Sequence, residues 1–336
     1  MKSKTGQIIQ FVIFFGLGAG LMWWQYSQFT PEQSENFHKG LANADYFWFA
    51  IALVIGAIAH LLRAIRWQFL LAPLNRKALL GNRFYAVMIG YLANYAFPRL
   101  GEVTRCGVLK TSDDVPFSES FGTVVVERIV DLLCLGLVFV VVLLFQFAEL
   151  QSLWLEYIWN PASAKFAALS QNPVALIAIF IGGVAIVAGV YFLRKKLSKK
   201  KKADGEKGFI EGLKDGVLSI RKVKNPALFI VYSLSIWAGY YFSLYFCFRC
   251  FPETSDLTLN TALILLLFGT FGVAFTPGGI GAYQIIVTAI LIDLVPSTEP
   301  AAASFSWLSW GAQVATVVIF TGIAFALRPA LNKIRQ

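Results

Sequence analysis

The sequence predicts an all-α, polytopic membrane protein. Of its 336 residues, 57% are hydrophobic and only 14% are charged. Several windows reach the roughly 18–20 apolar residues needed to cross a ~30 Å hydrocarbon core. The apolar runs are continuous and do not alternate, which argues against a membrane barrel. About seven to nine membrane segments are expected within one integral membrane domain spanning 1–336, two of them forming re-entrant or broken-helix hairpins.

Taken in order, the segments fall at about 7–26, 46–65, 84–97, 119–147, 172–193, 226–250, 257–275, 280–295 and 301–327. Lys2 and Lys4 precede the first, which ends in "LMWWQYSQ". That end is aromatic, without a small-residue cleavage site, so the segment reads as a retained span. With the N-terminus in the cytoplasm, Glu32, Glu35 and Asp45 lie outside, and the second span returns to Arg63, Arg66, Arg76, Lys77 and Arg83 inside.

The segment 84–97 is short: fourteen helical residues cover only ~21 Å. Pro98 ends it, and Arg105 and Lys110 follow. A hairpin that enters from the cytoplasm, turns near "FPRLGE" and returns is the simplest solution. A second hairpin turns at "TPGGIGAYQ" and opens outward. On this map the outside carries nine acids and three bases, and both termini are cytoplasmic. The parity is unchanged if both hairpins cross fully.

A large share of the positive charge lies in 194–224, "RKKLSKKKKADGEKGFIEGLKDGVLSIRKVK". A basic cytoplasmic loop touching anionic lipid headgroups explains it better than nucleic-acid binding. Part of it, between Gly208 and Ile220, is amphipathic.

The two breaks share a texture. "AFPRLG" and "AFTPGGIG" each place a proline soon after Ala-Phe and a glycine soon after that. Paired Pro/Gly-interrupted segments in two halves point to an inverted repeat around a central site; two unrelated breaks are the plainer alternative.

Backbone freed by a break cannot remain bare in lipid, so broken helices sit inside protein or line a wet cavity. Arg99, Glu102 and Arg105 are spaced to share one side of a short helix that begins near Pro98. Arg99 with that helix N-terminus forms a candidate phosphate clamp. Glu127, Arg128 and Asp131 are embedded in a long apolar helix, where each charge costs at least ~2.5–3.5 kcal/mol. They require partners, and Arg99 and Arg105 are the expected ones. A buried cluster of Arg99, Glu102, Arg105, Glu127, Arg128 and Asp131 is predicted as a substrate site. The alternatives are that the ion pairs only staple the hairpin to the helix, or that 119–131 lies near the interface, where charges are cheap.

Pro98, Gly101, Pro277, Gly278, Gly279, Gly281 and Gln284 mark the turns, as a gate or as tight packing. Tyr240, Tyr241, Tyr245, Trp307 and Trp310 read most simply as interfacial aromatics. Cys247 and Cys250 form C-x-x-C without a second ligand pair, and His38 and His60 have no metal-binding spacing. P-loop, GxSxG and HExxH motifs are absent. No metal, cofactor or ATP hydrolysis is expected.

The motifs N-x-x-x-P-R-x-G-E-x-x-R (Asn94, Pro98, Arg99, Gly101, Glu102, Arg105), E-R-x-x-D (Glu127, Arg128, Asp131) and T-P-G-G-I-G (Thr276 to Gly281) resemble the lysylphosphatidylglycerol synthase transmembrane-region family. The resemblance covers nearly the whole chain. It implies a flippase-like integral protein of the cytoplasmic membrane. Bifunctional members move aminoacylated phosphatidylglycerol between leaflets and make it with a separate soluble domain. These 336 residues show no such domain, so the resemblance implies a stand-alone member without synthase activity. The family often has Glu soon after the glycine turn; here Gln284 stands there, and an acidic role does not carry over.

The expected function is transport of a phosphate-bearing lipid, a phospholipid or a polyprenyl-phosphate-linked lipid, between leaflets. Membrane lipids are the expected partners. The alternative is a membrane-embedded transferase acting on a lipid-linked sugar or phosphate, with Glu102 or Asp131 as general base. A third possibility is an accessory subunit without turnover.

Overall fold

A computed structural model describes residues 16, 18–97, 99–161, 163–164 and 207–333. The expected span 172–193, Lys165 and the first part of the basic loop lie outside these residues. Contacts divide the chain into two units, one of 1–142 with 212–336 and one of 143–211. The second contains a short helix, Phe147–Trp154, continued by a π-turn over Leu155–Trp159.

Helices α1 (18–27), α2 (Pro31–Asn43), α3 (Tyr46–Leu71), α4 (Leu80–Ala96), α5 (Leu100–Asp113) and α6 (Phe117–Phe145) come first. After the short helix, now α7, follow α8 (Lys207–Leu218), α9 (Pro226–Cys247), α10 (Leu259–Phe275), α11 (Ala282–Leu294) and α12 (Glu299–Lys333). No strand occurs among the described residues. Four helical segments there are long and apolar enough to cross a membrane: Tyr46–Leu74, Phe117–Phe145, Pro226–Cys250 and Pro296–Leu327. The protein is an all-helical, multi-pass membrane protein.

Local sequence sets the boundaries. The stretch first read only as an external loop folds as α2, because Thr30 and Gln33 cap each other (Gln33 N to Thr30 Oγ1, 3.2 Å; Thr30 N to Gln33 Oε1, 3.0 Å) and Pro31 opens the first turn. Asp45 caps α3 by accepting from the Phe47 amide at 3.0 Å. Helix α3 runs on to Leu71, six residues past the expected end at 65. The amphipathic stretch of the basic loop is α8, which packs on α6 with Gly216 against Gly122.

Contacts at the two ends of α3 show which helix ends lie together. At one end of α3 the Asp45 amide donates to the Cys250 carbonyl at 2.9 Å. At the other end Arg76 and Glu119 form a two-pronged pair at 2.8 and 3.0 Å. The α4–α5 hairpin has its base at this second end, where Asp113 accepts from the Leu79 amide at 3.1 Å. The α10–α11 hairpin has its base at the first, where the turns Pro252–Thr254 and Pro296–Thr298 meet. The two hairpins therefore enter the helix bundle from opposite ends.

Their tips meet. Gly278 packs against the Tyr95 ring so closely that a Cβ would overlap it. Trp310 of α12 lies edge-on to Tyr95 with centroids 6.5 Å apart, and its indole N–H donates to the Gly278 carbonyl at 2.9 Å. Within the first hairpin, Gly101 faces the Gly90 carbonyl with no room for a side chain, which lets α4 and α5 lie close together. Ala64, Trp67, Leu71, Val87, Cys106, Leu109 and Val124 form the apolar core that fastens this hairpin to α3 and α6.

Candidate functional site

The long apolar helix α6 carries three charged residues into the protein. Glu127 is fully buried and Asp131 is 9% exposed. Unpaired charges there would be prohibitive, and each has a partner. Asp131 lies between two arginines of α3: Arg63 Nη1 is 2.6 Å from Oδ2 and Arg66 Nη2 is 3.0 Å from Oδ1. Arg128 Nη1 approaches the same carboxylate at 3.6 Å. Glu127 pairs with Arg105 Nη2 at 2.7 Å and with Arg66 Nη2 at 3.6 Å. Neither of its oxygens accepts a well-aligned hydrogen bond, so the contact is mainly coulombic. Glu102 meets Arg128 Nε at 3.1 Å.

Aromatic side chains support the cations. The Arg105 guanidinium lies over the Trp67 ring, 3.9 Å from its centroid, and the Trp67 indole is anchored to Thr123 Oγ1 at 2.8 Å. Arg63 donates from Nε and Nη2 to Tyr240 Oη, 3.3 Å in each case, and Tyr240 Oη is 3.4 Å from Tyr91 Oη.

Arg99 differs from the others. It is exposed, makes no ion pair with a described residue, and adopts φ 63° at the N-terminus of α5. The first free amides of α5 are satisfied locally: Asn94 Oδ1 accepts from the Gly101 amide at 2.7 Å. The first residue of the Asn-containing motif thus closes the helix start, leaving the arginine side chain uncommitted.

A cavity of about 720 Å³ opens between the hairpins. Arg63, Arg99, Glu102, Arg128 and Asp131 form its charged part. The rest of the lining is neutral and includes Tyr95, Trp237, Tyr240, Tyr283 and Gln313. Pro277 and Gly278 bring the second hairpin to its wall.

Several expectations change here. Arg99 does not pair with the buried acids; Arg63 and Arg66 do, together with Arg105. Those two arginines were read as cytoplasmic-side cations at the end of the second span, whereas helix α3 carries both into the interior. Their spacing of three in "HLLRAIRW" was the available signal. Arg105 and Glu127 lie behind the cavity lining as a closed pair. Tyr240 and Trp310, read as interfacial, instead hold Arg63 and the second hairpin tip. Gln284 is fully buried, and its Oε1 accepts from the Gly281 amide at 2.8 Å, so it caps α11. Gly278, Gly279 and Gly281 all have positive φ, between 60° and 80°. Pro98 lies outside the described residues.

Residues 7–327 match the family described as the lysylphosphatidylglycerol synthase TM region. The chain belongs to this family. It is also similar to the glycosyltransferase AglD of Haloferax volcanii, 25% identical over an alignment of 320 positions that covers 83% of this chain and 48% of the relative. A UPF0104 membrane protein of Methanocaldococcus jannaschii is 29% identical over 96 residues, 28% of this chain and 29% of that protein. The chain thus spans less than half the length of either relative. No solved structure matches it.

Proposed function

We propose that this chain is a flippase-like transporter of the cytoplasmic membrane that moves a phosphate-bearing lipid between leaflets, with both termini in the cytoplasm. The observation that carries the reading is the charge balance around the cavity. Arg63, Arg99 and Arg128 line it together with two carboxylates, Glu102 and Asp131, which leaves one cation in excess, while Arg66 and Arg105 neutralise the acids from behind the wall. A partly buried excess of arginine favours an anion, and the guanidinium fork suits phosphate oxygens. Arg99, exposed and unpaired among the described residues, provides the first contact. The tails remain in the bilayer while the headgroup occupies the space between two hairpins, taken as re-entrant from opposite faces. Such an arrangement suits a site reached alternately from either side.

Reconstituted proteoliposomes bearing a fluorescent phospholipid test this. Leaflet redistribution is expected with the native chain, and loss by tenfold or more with Arg99→Ala. Equal rates for the variant, the native chain and empty vesicles would remove the proposal.

Similarity to a glycosyltransferase favours a second reading, a transferase acting on a lipid-linked sugar. The match covers only 48% of the relative, so its named activity need not reside in the shared part. Both candidate bases, Glu102 and Asp131, are also committed to arginines. Thin-layer chromatography of the recovered lipid separates the readings: a transporter returns its lipid chemically unchanged.

A further inference from the structure

Two donors at the charged end of the cavity are uncommitted, and they differ in charge. Arg99 lines the cavity, is exposed, and makes no hydrogen bond or ion pair with a described residue. Asn94 lines it as well and is half-buried. Its Oδ1 accepts from the Gly101 amide at 2.7 Å, and that bond decides which end of the carboxamide is oxygen. The amide nitrogen is left over. It makes no hydrogen bond to a described residue, and it is not one of the enclosed side-chain atoms.

The other charges of the lining are spent on one another. Arg63 holds Asp131 at 2.6 Å, and Arg128 meets Glu102 at 3.1 Å and Asp131 at 3.6 Å. Arg66 and Arg105 lie behind the wall against Asp131 and Glu127 and offer a ligand no donor. Three cations and two carboxylates in the lining leave a single positive charge in reach, that of Arg99. The rest of the lining, His60 and the tyrosines included, is neutral at pH 7.5.

A phosphodiester carries one negative charge at that pH, and a phosphomonoester close to two. The diester is matched by Arg99 and completed by the neutral Asn94 donor. The monoester leaves a second negative charge beside Glu102 and Asp131, in a partly buried pocket with no further cation to take it.

We infer that the cavity selects lipid phosphodiesters over lipid phosphomonoesters, with one phosphate oxygen at Arg99 and another at the Asn94 amide nitrogen. This rests on the reading of the cavity as a lipid phosphate site and adds the class of phosphate and a second binding residue.

The test is equilibrium binding to the purified full chain in detergent at pH 7.5, with lipids that differ by one methyl group. Phosphatidic acid is compared with its phosphate methyl ester, and a prenyl phosphate with its methyl ester. Within each pair the methyl ester should bind at least tenfold tighter, and the pair with the larger absolute affinity identifies the lipid source. Glu102→Gln keeps an oxygen for Arg128 and removes one negative charge, so monoester affinity should rise at least tenfold and close the gap. A folding defect does not produce such a gain. Asn94→Asp keeps an acceptor for the Gly101 amide and replaces the donor by a negative charge. Both esters should then weaken at least tenfold while the melting midpoint holds. Equal or tighter binding of the monoesters, or full diester affinity in Asn94→Asp, would overturn this inference and leave the phosphate site standing. Binding of no phosphate lipid at all would overturn both.

Discussion

Arg99 and Gly278 share a left-handed backbone at the tips of two hairpins that enter the bundle from opposite ends. Each follows a proline, each proline follows an extended residue (Phe97, φ −142°; Thr276, φ −128°), and each has a left-handed backbone, φ 63° for Arg99 and 60° for Gly278. Glycine adopts that conformation freely, whereas arginine pays a strain of about 1 kcal/mol or more. The first hairpin therefore keeps a charged side chain where the second has none. This shared tip conformation strengthens the inverted-repeat reading of the two motifs.

Arg99→Gly separates the backbone from the side chain. It is expected to raise the thermal midpoint of the purified protein, by relieving about 1 kcal/mol of strain, while lowering affinity for anionic lipid at least tenfold. Parallel melting and binding curves check this; a variant that melts higher and binds unchanged would remove Arg99 from the site.

Gly278→Ala makes the converse test. The added Cβ meets both the unfavourable φ and the Tyr95 ring, so destabilisation of at least about 2 kcal/mol is expected. Combining it with Tyr95→Ala removes the overlap and leaves the strain. The double variant should therefore fall short of the sum of the two single losses, as a thermal double-mutant cycle would reveal.

Asp131→Ala leaves Arg63 and Arg66 buried without their main counter-charge. A loss of about 3–5 kcal/mol is expected, together with poor membrane yield. The triple variant Arg63→Met, Arg66→Met, Asp131→Leu should recover most of the yield and the thermal midpoint, because it removes the charges together. Recovery of folding without recovery of lipid movement would separate stapling from function at this cluster.

Trp310→Phe keeps the ring and removes the N–H bonded to the Gly278 carbonyl. A stability loss of about 1 kcal/mol is expected. Cysteine accessibility at Thr276 should rise in a Thr276→Cys background as the tip loosens. Unchanged labelling would assign Trp310 to packing alone.

Much of this arrangement was legible in the sequence. Pro98 and Pro277 cannot sit inside continuous helices, and the charges Glu127, Arg128 and Asp131 cannot remain unpaired in an apolar one, so two breaks and a buried cluster followed directly. The partners did not. Cations near a span end read as facing the cytoplasm, and only the packing of α3 shows that Arg63 and Arg66 are buried against Asp131. Arg99 was assigned to the acids because charge pairing has no direction in sequence, whereas the backbone of the hairpin tip turns it toward the cavity lining. Trp310 carries no distinguishing pattern, because a tryptophan that anchors a carbonyl reads the same as one at a headgroup boundary.

Helix α12 is continuous over 35 residues, ~52 Å of stiff rod. About a third of the way along it Trp310 grips the second hairpin, and further on Phe325 lies against Tyr85 of the first, with ring centroids 6.1 Å apart. A lever held at two points cannot tilt at one without moving at the other. A swing of the second tip is thus expected to move the first hairpin as well, with one helix as the coupling rod.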